Sequence, residues 1–187
     1  DRPPIPESLQ THFAVVQDDD TLYFGIRCND DDLSRLVFYP APGEGDAAMW
    51  MADSIELFLQ PEGARQQYYH FAVDPNATQT DIGGKSDYSS DWKAATFLKG
   101  DKFWSMEIAI PFAAFYETPA AGWAENWIFS ITRSIAARGV WSTYSATAFG
   151  YHDATNFGTL GPITVDKARF NLWVKNPRFQ LIPDRKD

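Results

Sequence analysis

Three runs of this chain place apolar residues at every second position: Leu22, Phe24 and Ile26; Ile55, Leu57 and Leu59; and Met106, Ile108 and Ile110. Successive side chains leave a strand on opposite faces, so this period predicts half-buried β-strands and excludes a helical bundle. Turn-forming residues bound the runs: Asp18-Asp19-Asp20-Thr21, Pro61-Glu62-Gly63 and Gly100-Asp101. Residues 11–17 and 22–28 therefore read as one hairpin, 54–59 and 68–73 as a second, and 94–99 and 103–110 as a third. Residues 127–133, 140–146 and 170–174 read as further strands, and 36–40 as a short apolar piece. Residues 111–115 suit a single helical turn. Asp74-Pro75-Asn76 closes a strand, and the polar, Gly-rich segment 77–90 reads as a long loop. About nine strands with little helix and no internal repeat predict an all-β, two-sheet antiparallel sandwich.

A length of 187 residues suits one domain, with 175–187 as a tail or linker. The 25 acidic and 16 basic residues leave a net charge of -9. A chain so acidic lacks the basic patch that phosphate neutralisation or an anionic membrane surface requires, so neutral or cationic ligands fit better. Cys28, the single cysteine, lies on an apolar strand and is expected to be a buried, inert thiol with no internal disulfide. No apolar run approaches a membrane span, and the first residues do not resemble a signal peptide. The abrupt start and polar end read as cuts in a longer polypeptide.

The same alternation sends Glu56 to the face opposite Ile55, Leu57 and Leu59. Trp50 lies six residues earlier, an even spacing, so a strand running that far back would set an indole and a carboxylate on one exposed face. That pairing suits a sugar, which offers C–H surface to an aromatic plane and hydroxyls to an acceptor. The alternative is a loop tryptophan tucked against the core beside a solvated acid.

Five motifs then stand in a familiar order: Asp-Asp-Asp-Thr-Leu-Tyr-Phe-Gly-Ile-Arg-Cys (18–28), Asp-Ser-Ile-Glu-Leu-Phe-Leu (53–59), Phe-Trp-Ser-Met-Glu-Ile-Ala-Ile-Pro-Phe (103–112), Trp-Ile-Phe-Ser-Ile-Thr-Arg (127–133) and His-Asp-Ala-Thr-Asn-Phe-Gly-Thr-Leu (152–160). In this order they resemble the family 9 carbohydrate-binding modules and their bacterial relatives, over residues 11–165. The resemblance implies a β-sandwich that binds an oligo- or polysaccharide on a sheet surface, without catalysis. It also implies an exported, cell-surface or periplasmic setting within a polysaccharide-processing protein, fused in some cases to a glycoside hydrolase. In the family two rings clamp a terminal sugar, and a Glu six residues after the first ring accepts from its hydroxyls. Trp50 and Glu56 match that spacing. The next strand's outward positions are His70 and Ala72, of which alanine offers no hydrogen bond, and Ser130 or Thr132 is the counterpart, by parity, of a polar group that the family supplies from the strand at 127–133. The second ring falls to Trp141, with Tyr144 and Tyr151 as competitors.

A glycosidase would need two carboxylates about 5 Å apart on one surface. Asp53 and Glu56 have odd spacing, and Glu107 could join Glu56 only from an adjacent strand. A haem-binding relative of the same fold would use Met49 or Met51 with His70 or His152. No Gly-x-Ser-x-Gly elbow or zinc spacing is present. His152 is expected to hold the Phe157-Gly158 segment. Acidic turns with Asp18, Asp20, Asp30 and Asp32 are the candidates for a structural Ca²⁺, against plain solvated turns.

Overall fold

The structure, a computed structural model, describes residues 4–39, 46–65, 67–85, 87–147 and 150–170. Its strands are β1 (Thr11–Gln17), β2 (Thr21–Asn29), β3 (Ser54–Gln60), β4 (Tyr69–Val73), β5 (Gln79–Ile82), β6 (Lys93–Phe97), β7 (Phe103–Pro111), β8 (Trp127–Ile135), β9 (Val140–Thr143) and β10 (Gly158–Leu160). They form two antiparallel sheets, one of four strands ordered β1-β2-β7-β6 and one of six ordered β10-β8-β3-β4-β5, with β9 also paired to β8. The sandwich predicted from period-two patterning is the fold. Among the described residues no helix is long and apolar enough to cross a membrane.

The core lies between the sheets. Leu22, Phe24 and Ile26 of β2 and Met106, Ile108 and Ile110 of β7 face Ile55, Leu57 and Leu59 of β3 and Phe71 of β4. One end is filled by rings, with Phe115 and Trp127 centroids 4.8 Å apart and Trp123 and Trp127 5.4 Å apart. Edge-to-face pairs of this kind add about 0.5–1.5 kcal/mol beyond the area they bury. Cys28 is fully buried, which pushes its thiol up to about 12, as expected of an inert side chain. Arg133 joins the sheets: its guanidinium donates to the carbonyls of Leu9 and Asn29 at 3.1 and 2.8 Å and to Asp30 at 3.2 Å. A charge so deep is tolerated because it is paired and hydrogen-bonded.

Several sequence expectations need correction. The 77–90 segment is not one long loop, since it holds β5, an edge strand whose residues (Gln, Thr, Asp, Ile) carry no apolar alternation. Asp74 makes that hairpin, accepting from the amides of Asn76 and Thr78 through one oxygen. Phe170 belongs to a helical turn over 167–170 rather than to a strand, because its ring inserts beside Trp123 and Phe112; residues 171–174 lie outside the described residues. Residues 36–39 form no strand. The expected turn at 111–115 is present as a 3-10 helix, Phe112–Phe115.

Candidate functional site

The outer face of the six-stranded sheet is built in rows by its register. Thr143, Thr132, Glu56, Ala72 and Thr80 stand side by side across β9, β8, β3, β4 and β5. A neighbouring row is Trp141, Ser134 and Ser54, and on the other side runs Ser130, Phe58, His70 and Ile82. Gly139 turns the chain from β8 into β9 with φ 60, a left-handed conformation in which a Cβ is strained. That reversal returns Trp141 to the face Glu56 occupies.

Trp50 reaches this face by a route that strand parity did not supply. It sits on a 3-10 helix, Asp46–Met51, rather than on an extension of β3, and its carbonyl accepts from the Ser134 hydroxyl at 3.4 Å. Ser134 is the cross-strand partner of Trp141. Both tryptophans therefore adjoin one serine, Trp50 through its backbone carbonyl and Trp141 across the ladder, and both are open to solvent, Trp50 at 57% and Trp141 at 60%. Tyr144 belongs elsewhere. Its ring packs against Phe13 and Phe129, at 5.4 and 5.8 Å, on the side of the sheet turned toward the four-stranded layer. It follows Thr143 by one residue, and one step along a strand changes the face.

Beside this row the floor is polar and buried. Glu56 is only 5% exposed. Its Oε2 lies 2.7 Å from His70 Nε2, while Oε1 has no hydrogen-bond partner. Ala72 is the residue directly across from Glu56 and is too short to reach it, so the diagonal neighbour His70 does. The imidazole is held flat on Phe58, with centroids 4.4 Å apart and planes 8° from parallel. Ser54 Oγ and Thr132 Oγ1 are likewise buried without a partner.

A wall that the sequence reading missed stands beyond Phe58. Tyr68 bonds His152 Nδ1 at 2.7 Å, and the His152 ring stands edge-on to His70, with centroids 5.6 Å apart. Tyr151 donates to the Arg133 carbonyl at 2.7 Å. The phenol groups of Tyr68 and Tyr151 are raised, first by burial and then by the negative Glu56, so that carboxylate is felt across the face. His152 is lowered by burial and by His70. It does not hold Phe157-Gly158 as expected: Ser145 Oγ accepts from the Gly158 amide instead, at 2.9 Å. The alternating hydroxyls Ser130, Thr132 and Ser134 were a readable signal for the floor. A loop such as 151–157 has no period to read.

Glu107 lies on the outer face of the other sheet, opposite Gly25, so the core separates it from Glu56. Asp53 lies off this face as well: it is buried, accepts from the Val37 amide, and feels Arg133 and Asp30. The two-carboxylate arrangement of a glycosidase is therefore not assembled from these acids. Met49 is buried, whereas Met51 is exposed.

The four turn acids are engaged locally. Asp18 accepts from the amides of Asp20 and Thr21 and from the Tyr23 hydroxyl, and Asp20 pairs with Arg169. Asp30 pairs with Arg133 and Arg138, and Asp32 caps a 3-10 turn through Ser34. Among the described residues no group of three or more potential ligands is gathered for a metal ion.

Residues 4–161 match the family described as carbohydrate family 9 binding domain-like. The chain belongs to that family. The family 9 domain is similar in fold to the crystal structure of a "putative carbohydrate-binding protein" from Bacteroides uniformis, with a TM-score of 0.63 and 18% identity over 81% of this chain and 77% of that one. At that identity the likeness is one of fold alone. No curated protein matches the chain.

Proposed function

We propose that this family 9 domain binds carbohydrate, without catalysis, on the outer face of its six-stranded sheet. Trp50 and Trp141 cover the C–H surface of a sugar ring, and Glu56 accepts from its hydroxyls. The observation that carries the reading is that two solvent-exposed tryptophans adjoin Ser134, one through its backbone carbonyl and one across the ladder, beside a buried carboxylate with one free oxygen. Exposed aromatic surface with adjacent unmet acceptors is what a ligand of mixed C–H and O–H character complements. His70 acts from the adjacent strand, holding one Glu56 oxygen so that the other is presented in a set direction. Such a domain suits an exported polysaccharide-processing protein.

A glycan array on the purified domain tests this. Binding to a defined set of oligosaccharides, lost in Trp50→Ala, is the expected result. Binding to none, or time-dependent release of reducing sugar abolished by Glu56→Gln, would reject it.

A further inference from the structure

The floor of the site is richer in acceptors and negative charge than a neutral sugar ring uses. Glu56 is buried beside a single hydrogen-bond partner, His70, and among the described residues no Lys or Arg pairs with it. Its Oε1 is one of three unmet oxygens on this patch. Thr132 stands directly across the ladder from Glu56, and Ser54 lies two residues away on the same face. A buried carboxylate with one unmet oxygen and two orphan hydroxyls are each costly to bury, and a cation with several N–H donors relieves all three. An ammonium has three donors and no acceptor. The rim adds to this, because indole faces attract cations more strongly than other aromatic rings do. The net charge of -9 raises the local concentration of cationic ligands.

We infer that the sugar taken by this site carries a free, protonated amine, which enters between Glu56, Thr132 and Ser54 while Trp50 and Trp141 cover the ring. The inference rests on the sugar-binding reading above and narrows it to amino sugars with unsubstituted nitrogen.

Three sugars that differ at one carbon separate the cases: glucosamine, glucose and N-acetylglucosamine, which carry an ammonium, a hydroxyl and an amide. Each is titrated calorimetrically at pH 7, with the corresponding oligosaccharides in parallel. The expected result is that glucosamine or its oligomers bind at least about tenfold tighter than the other two, equivalent to about 1.4 kcal/mol. Glu56→Gln is expected to bring that ratio to near one. Thr132→Val, which keeps the side-chain shape if Glu56→Gln fails to fold, is expected to reduce the ratio. Equal or tighter binding of the neutral sugars would overturn the amine assignment and leave the sugar reading standing. An amine preference that survives Glu56→Gln would also overturn it, since the charge would then act from elsewhere. Binding of no sugar in either series would remove both.

Discussion

Glu56 and Thr132 stand directly opposite each other across the β3–β8 ladder, and each keeps a buried oxygen with no hydrogen-bond partner. Leaving such an atom unmet costs about 1–3 kcal/mol, whereas an apolar group of the same shape leaves nothing to satisfy. Thr132→Val is therefore expected to match or exceed the parent in denaturation midpoint when no ligand is present. A loss above about 1 kcal/mol would show that the hydroxyl is satisfied in the free protein.

Trp50 offers a second separation of binding from stability. Losing an exposed stacking ring forfeits about 1–3 kcal/mol of affinity, by analogy with bases stacked on aromatic side chains. Losing a buried one costs about 3–5 kcal/mol of stability. At 57% exposure, Trp50→Ala is expected to weaken sugar binding about ten- to a hundredfold with an unchanged urea midpoint. An unfolded variant, or one that binds its best glycan as the parent does, would remove Trp50 from the site.

Asp53 predicts a pH dependence of stability. Burial raises its carboxyl above the ordinary value near 3.8, although the Val37 amide and Arg133 oppose this. An acid whose folded value is raised binds more protons folded than unfolded, so its contribution is fully present below about pH 4 and is lost as pH rises through the raised value. Asp53→Asn still accepts from Val37 and cannot ionise. The variant's stability relative to the parent is expected to increase as pH rises from about 4, then level off. Denaturant titrations at pH 4, 5, 6 and 7 check this, and a difference that stays constant with pH would contradict it.

Calcium supplies a fourth check. A folded-state site with a Kd of about 10 μM would add about 2.7 kcal/mol in 1 mM Ca²⁺. With Asp18, Asp20, Asp30 and Asp32 already engaged by amides, hydroxyls and arginines, melting temperatures in EDTA and in millimolar Ca²⁺ are expected to coincide. A clear rise with Ca²⁺ would show that these turns rearrange around the ion.

Much of the sandwich could be read from the chain because a strand with one buried face records its neighbours in every second residue. Glu56 and Thr132 were placed on one face by that parity, and the register agrees; Trp141, favoured only from the family resemblance, pairs across the ladder with Ser134 of the same face. Parity has nothing to say where one side of the record is missing. β5 is a polar edge strand, and Trp50 lies on a 3-10 turn, so strand parity does not apply to its even spacing from Glu56. Tyr144 shows the reverse: its residue type suited a sugar platform, but its ring belongs to the Phe13 and Phe129 side. The pairing of Glu56 with His70 depends on a diagonal reach past Ala72, which requires knowing that β4 lies beside β3.

The central position of β3 gives the site an uneven rigidity. Glu56 rides on a strand with β8 bonded along one side and β4 along the other, so its amide belongs with those expected to exchange hydrogen only on global unfolding. Trp50 rides on a short 3-10 turn and Trp141 on a four-residue strand with a single pairing partner, places where local opening is cheapest. A ligand would meet a fixed acceptor beneath adjustable walls. Discrimination would then reside in the polar group that reaches Glu56, while the rings accommodate whatever the rest of the chain brings.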